Sequence, residues 1–171
     1  MPTYNIPLNK VAIAAIKAAK EMEKYNSWDR KKGKKPNNHM ETFFYGALGE
    51  IAVSMHLGLT WKGEFFATSG DGGVDFPGIQ VKTNTWQFGD KHLKISFKDL
   101  PKYEKKGIHT FILAYTNATE WELDNETQTV PVEVIGGITM DDFKTRKEEG
   151  QYWWIVREDF LTLDSLQLSY K

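Results

Sequence analysis

The chain has 171 residues, a formal net charge of −1 and 40% hydrophobic residues, enough apolar material for one packed core and too much for global disorder. It contains no Cys, which excludes disulfides and thiolate metal centres and leaves carboxylates, carbonyls, water and four His as available ligands. No apolar run reaches membrane-spanning length and the N-terminus lacks a signal-peptide pattern, so one soluble intracellular (cytoplasmic) domain over 1–171, without membrane contact, is expected.

Leu8 to Tyr25 reads as a helix, rich in Ala and Ile and free of Gly and Pro. The polar stretch Asn26 to Asn38 reads as a loop, and it holds Arg30, Lys31, Lys32, Lys34 and Lys35 within six residues. Glu41 to Leu57 reads as a second helix that Gly58 stops. A short strand is expected near Trp61 to Phe66, then strands at Val74 to Phe76, Ile79 to Thr85 and Leu93 to Phe97, with turns at Pro77-Gly78 and Gly89-Asp90. Lys102, Lys105 and Lys106 make a second basic cluster. Thr110 to Thr116 is the most apolar strand candidate and is expected in the centre of the sheet, whereas Pro131 suggests an edge position for Thr129 to Ile135. Met140 to Glu149 reads as a helix and Tyr152 to Val156 as a last strand. Helices followed by a run of strands, then a helix and a strand, imply an α+β or mixed α/β fold with helices on a twisted sheet.

Four residues carry the chemistry. Glu50 is the lone charge between Thr42 and Met55, on a helix apolar nearly all round. Phe44, Leu48, Ile51 and Met55 form one stripe, with Glu50 on the other side. A carboxylate there needs a partner. Gly46 and Gly49 in the same helix suggest that a backbone or a ligand approaches closely. On the strand Ile79 to Thr85, alternation sends Gln80, Lys82 and Asn84 to one face, Gln80 and Lys82 being roughly 6–7 Å apart. Asp75 precedes the Pro77-Gly78 turn, which can bring it beside Gln80. Taken singly, Asp75 reads as a turn Asp, Lys82 as an exposed strand Lys and Glu50 as a structural carboxylate. Together they are a donor set for hydrolysing a phosphodiester. A divalent cation takes one or two carboxylates and neutral oxygens, and an ammonium steadies the attacking water and the charge growing on phosphorus oxygens.

Gly46-Ala47-Leu48-Gly49-Glu50, followed by Asp75, Gln80 and Lys82, resembles the signature of the PD-(D/E)xK nucleases. The resemblance runs over about Glu41 to Phe97 and is similar to the cores of archaeal Holliday-junction resolvases and phage endonucleases. It implies a restriction-endonuclease-like core, a central mixed β-sheet flanked by helices. Glu50, Asp75 and Gln80 would be ligands for Mg²⁺ or Mn²⁺, and Lys82 the catalytic ammonium. The implied activity is metal-dependent endonucleolytic cleavage of duplex or branched DNA by a homodimer, with Arg30, Lys31, Lys32, Lys34, Lys35 and Asn84 contacting nucleic acid. Val74 replaces the motif's Pro, and Gln80 replaces its second acid, which removes one negative charge from the site. An inactive nucleic-acid-binding protein of the same fold is therefore the alternative. A protein-interaction domain in which the four residues form a structural network is a third reading. Thr83 and Ser96 are further candidates for contact with substrate or water, Asp71 reads as a turn residue, His39, His56, His92 and His109 show no ligand spacing, and Trp153-Trp154 reads as core.

Overall fold

Residues 2–7, 37–61, 76–85, 93–116, 129–145, 148–149 and 152–155 are described by the structure, a computed structural model. The helix expected over Leu8 to Tyr25, the basic residues Arg30 to Lys35, and Asp71 and Asp75 lie outside the described residues, as do the side chains of Trp153 and Trp154. The described elements are β1 (Thr3–Pro7), α1 (Asn37–Leu57), β2 (Ile79–Thr85), β3 (Leu93–Ser96), a 3₁₀ turn (Phe97–Asp99), α2 (Leu100–Lys105), β4 (Thr110–Thr116), β5 (Thr129–Thr139), α3 (Met140–Phe143), β6 (Glu148–Glu149) and β7 (Tyr152–Ile155). None of the described helices is long and apolar enough to cross a membrane.

A mixed four-stranded sheet has the order β1-β5-β4-β2, with β2 and β4 parallel and the other pairs antiparallel. β3, β7 and β6 form a separate antiparallel sheet. β3, which carries Ser96, is thus not hydrogen-bonded to β2, the strand that carries Gln80 and Lys82.

The boundaries have local causes. α1 begins at Asn37, four residues before the expected Glu41. It ends in a Schellman motif: Gly58 has φ 69° and the Leu59 N–H reaches the Ser54 carbonyl at 2.8 Å. Leu59 then packs on the core cluster that α1 itself helps to build. α2 was not expected. Pro101 stands in its first turn, where the missing N–H costs nothing. The expected helix Met140 to Glu149 stops at Phe143, and Glu148–Glu149 instead pair with Tyr152 and Trp153. The Thr139 hydroxyl caps the start of α3 by accepting the Asp142 N–H at 3.3 Å, and after one turn the Thr145 N–H closes onto the Asp142 carbonyl at 3.2 Å.

β4 lies inside the sheet, as its apolar sequence predicts. β5 does not lie at an edge. It sits between β1 and β4 despite Pro131. Registered pairing with β4 ends at Tyr115↔Glu133, so the missing N–H of Pro131 falls beyond that ladder, and its carbonyl accepts from the Thr116 hydroxyl at 2.9 Å.

Two apolar clusters cover opposite faces of this sheet. One joins Phe44, Leu48, Ile51 and Ala52 of α1 to Ile79, Val81, Ile112, Ala114 and Val134. The other joins Phe111 and Ile138 to Tyr103, Leu93, Ile95 and Phe143. A bulge at Ile135 lets β5 serve both. Leu113 pairs with Gly136 and Ala114 with Val134, so the alternation flips and Ile138 joins Phe111 on the face opposite Val134. Each fully buried Phe, Leu or Ile contributes about 1.5–3 kcal/mol of transfer free energy.

α1 meets the sheet at Gly49. A Cβ there would sit 1.9 Å from the Thr83 hydroxyl oxygen and 3.2 Å from the Ala114 Cβ. The close approach expected of the helix glycines is thus real for Gly49, with β2 and β4 as its partners. No described residue lies within 4 Å of a Cβ at Gly46. Gly49→Ala should destabilise the fold by about 1–3 kcal/mol through overpacking, outweighing the ~1 kcal/mol gain in helix propensity. Thr83→Ala in that background should restore part of the loss, since it removes the hydroxyl that clashes. Urea unfolding of the two single variants and the double variant checks this, and a neutral Gly49→Ala would contradict the packing.

Candidate functional site

β2 places its side chains as alternation requires. Ile79 and Val81 enter the α1 core, and Thr83 faces Gly49. Gln80, Lys82 and Asn84 occupy the other face, half-buried, beside Phe111, Leu113 and Tyr115 of β4 in parallel register. Lys82 is held there. Its Nζ donates to the Tyr103 hydroxyl at 2.8 Å and lies 5.4 Å from that ring's centroid. Tyr103 is itself fixed: it is 6% exposed, and its ring meets Phe111 edge-on at 5.4 Å, which in turn packs at 5.3 Å on Phe143.

The turn before β2 is also set. Phe76 and Ile79 exchange both backbone hydrogen bonds across Pro77-Gly78, and Gly78 has φ 76°, which makes a type II turn. The Gly78 carbonyl accepts from the N–H groups of His109 and Thr110, tying the turn to the start of β4. Asp75 itself lies outside the described residues. Its neighbour in sequence, Phe76, pairs with Ile79, the residue before Gln80.

Glu50 reaches the region by another route. It lies about 100° round α1 from Gly49, on the helix flank rather than toward the sheet. It is half-buried, and its Oε2 accepts the Trp61 indole N–H at 2.9 Å. One donor for this carboxylate is therefore the Trp61 indole. α1 covers the face of β2 opposite Lys82. Gln80 and Lys82 are brought together directly, whereas Glu50 belongs to the other layer, with β2 the outermost described strand between them. Met55, placed above in one stripe with Phe44, Leu48 and Ile51, is 52% exposed while those three are buried.

Among the remaining candidates, Asn84 shares the Gln80 and Lys82 face. Thr83 is a packing residue; its buried hydroxyl has no hydrogen-bond partner among the described residues. His56 shares a 2.8 Å hydrogen bond with the Tyr4 hydroxyl, and His109 one with Thr110. Among the described residues no three His, Asp or Glu side chains form a metal-binding group. The candidate donors are all oxygens, the set that hard divalent cations prefer. Tyr103 and Trp61 were missed from sequence. Asp99-Leu100-Pro101, an acidic residue before a first-turn Pro, was the readable signal for the helix that carries Tyr103. Compared with family models, curated proteins and solved structures, the chain matches none.

Proposed function

We propose that the chain is a Mg²⁺- or Mn²⁺-dependent endonuclease acting on DNA, with Asp75, Gln80 and Lys82 at its centre and Glu50 in support. The observation that carries this reading is the β2 face: Gln80 and Lys82 lie side by side, one turn after Asp75, with the Lys82 ammonium held by Tyr103. The order helix, hairpin turn, β2, α2 and a parallel β4 is compatible with a restriction-endonuclease-like core. Asp75 and the Gln80 amide oxygen would hold the cation. Glu50, in the α1 layer across β2, would not ligate the cation and would add only longer-range negative charge. When bound, the cation supplies charge neutralisation at the phosphoryl oxygens and lowers the proton affinity of water. Lys82 orients the attacking water and screens the negative charge that builds on the pentacovalent phosphorus. Water attacks directly, with no covalent link to the protein.

Three features favour a DNA partner. Asn84 extends the polar face, α2 carries Lys102 and Lys105 on the same side of the sheet, and Arg30, Lys31, Lys32, Lys34 and Lys35 supply further phosphate contacts. A second copy of the chain would present a matching site to the other strand. The Trp61 bond to Glu50 favours a second reading, an inactive DNA-binding protein, because it gives that carboxylate a structural occupation.

Incubation of the purified chain with supercoiled plasmid and with a four-way junction separates the two readings. Nicking or linearisation is expected with Mg²⁺ or Mn²⁺, and its abolition by EDTA. Binding without metal-dependent cleavage of either DNA would support the inactive protein.

A further inference from the structure

We propose that Tyr103 is the positioning residue that sets the Lys82 ammonium against the reacting phosphate, an inference that rests on reading Lys82 as the cation of the site. A lysine on a strand surface samples many rotamers, and ordering it costs up to about 2 kcal/mol of conformational entropy. The 2.8 Å hydrogen bond from Nζ to the Tyr103 hydroxyl selects among those rotamers before substrate arrives. The acceptor is rigid. Tyr103 is buried, its ring is locked against Phe111, and the Ile108 N–H closes onto the Tyr103 carbonyl at 3.0 Å. An ammonium has three donors, and the phenol uses one, leaving two for a water and a phosphoryl oxygen. The 5.4 Å separation from the ring centroid agrees with the contact being made through the hydroxyl rather than the ring face. This arrangement explains why a short helix interrupts the path from β3 to β4: α2 brings one phenol over the sheet face that carries Lys82.

Tyr103→Phe removes the hydroxyl and keeps the ring packing. In single-turnover cleavage of plasmid with Mg²⁺, it should slow the chemical step by about tenfold, the worth of one hydrogen bond to a charged group. DNA affinity, measured without divalent metal, should stay within about twofold, because the ammonium charge is retained. In the Lys82→Ala background the same substitution should have no further effect, as expected for residues acting as one unit. A wild-type rate in Tyr103→Phe, or an equal slowing in both backgrounds, would overturn the proposal. The ammonium proton signal of Lys82, assigned by its loss in Lys82→Arg, gives a reading independent of cleavage. It should exchange with water about fivefold faster in Tyr103→Phe. If the wild-type chain does not cleave, the nuclease reading falls alone. An unchanged Lys82 signal in Tyr103→Phe would then overturn the hold on the ammonium, and faster exchange would sustain it.

Discussion

Lys82→Ala should reduce metal-dependent plasmid cleavage by about 10²–10³-fold while lowering DNA affinity far less, by the loss of one phosphate-facing charge. One preorganised cationic donor aimed at developing charge accounts for a loss of that order. The side chain lies half-buried on a strand face, so its removal opens no core cavity. It does deprive the Tyr103 hydroxyl of its donor. That hydroxyl is also a donor and can turn to water, so the stability cost should be no more than about 1 kcal/mol. Rates in single turnover, with thermal unfolding as a control, separate a chemical effect from a folding one. An activity within threefold of wild type, in a folded variant, would remove Lys82 from the mechanism. Lys82→Arg should recover little, because a planar guanidinium cannot reproduce the reach and point charge of the ammonium.

Asp75→Asn should be the most damaging neutral substitution, lowering both Mn²⁺ affinity and cleavage by at least about 10²-fold. A Mg²⁺ or Mn²⁺ site with few protein ligands depends on carboxylate charge to compete with bulk water. Gln80 contributes none, so the proposed site depends on Asp75 for its negative charge. Gln80→Glu reverses that deficit and should tighten Mn²⁺ binding, the opposite sign to Asp75→Asn. Glu50→Gln should fall between wild type and Asp75→Asn. Glu50 approaches from the α1 layer, and its Oε2 already takes the Trp61 N–H. Titration calorimetry with Mn²⁺ checks all three variants. Equal affinities across the series would place any metal elsewhere.

Much of the frame was readable because local patterns and tertiary demands agreed. β2 and β4 run over the expected Ile79–Thr85 and Thr110–Thr116, since alternation or continuous apolarity in those segments has one comfortable solution. Gln80 and Lys82 share a face for the same reason. The lone charge of Glu50 also gave a correct expectation, that a buried helix carboxylate must find a donor. What could not be read was direction. A helical wheel shows that Glu50 and Gly49 are neighbours but not which of them meets the sheet, and the Thr83 contact at Gly49 decides it. The placement of β5 failed because a Pro bars a central strand only where its nitrogen faces a paired neighbour, and Pro131 lies past the end of the β4 ladder. α2 escaped notice because six residues carry too little periodicity, so Tyr103 was lost among the lysines around it.

The central claim is that Asp75 and Gln80 hold a divalent cation beside the Lys82 ammonium. Anomalous diffraction from crystals soaked in Mn²⁺ tests it most directly. A manganese peak is expected about 2.0–2.3 Å from an Asp75 carboxylate oxygen and the Gln80 amide oxygen. Lys82 Nζ should lie within reach of a metal-bound water. Manganese bound elsewhere on the chain, with neither Asp75 nor Gln80 among its ligands, would contradict it.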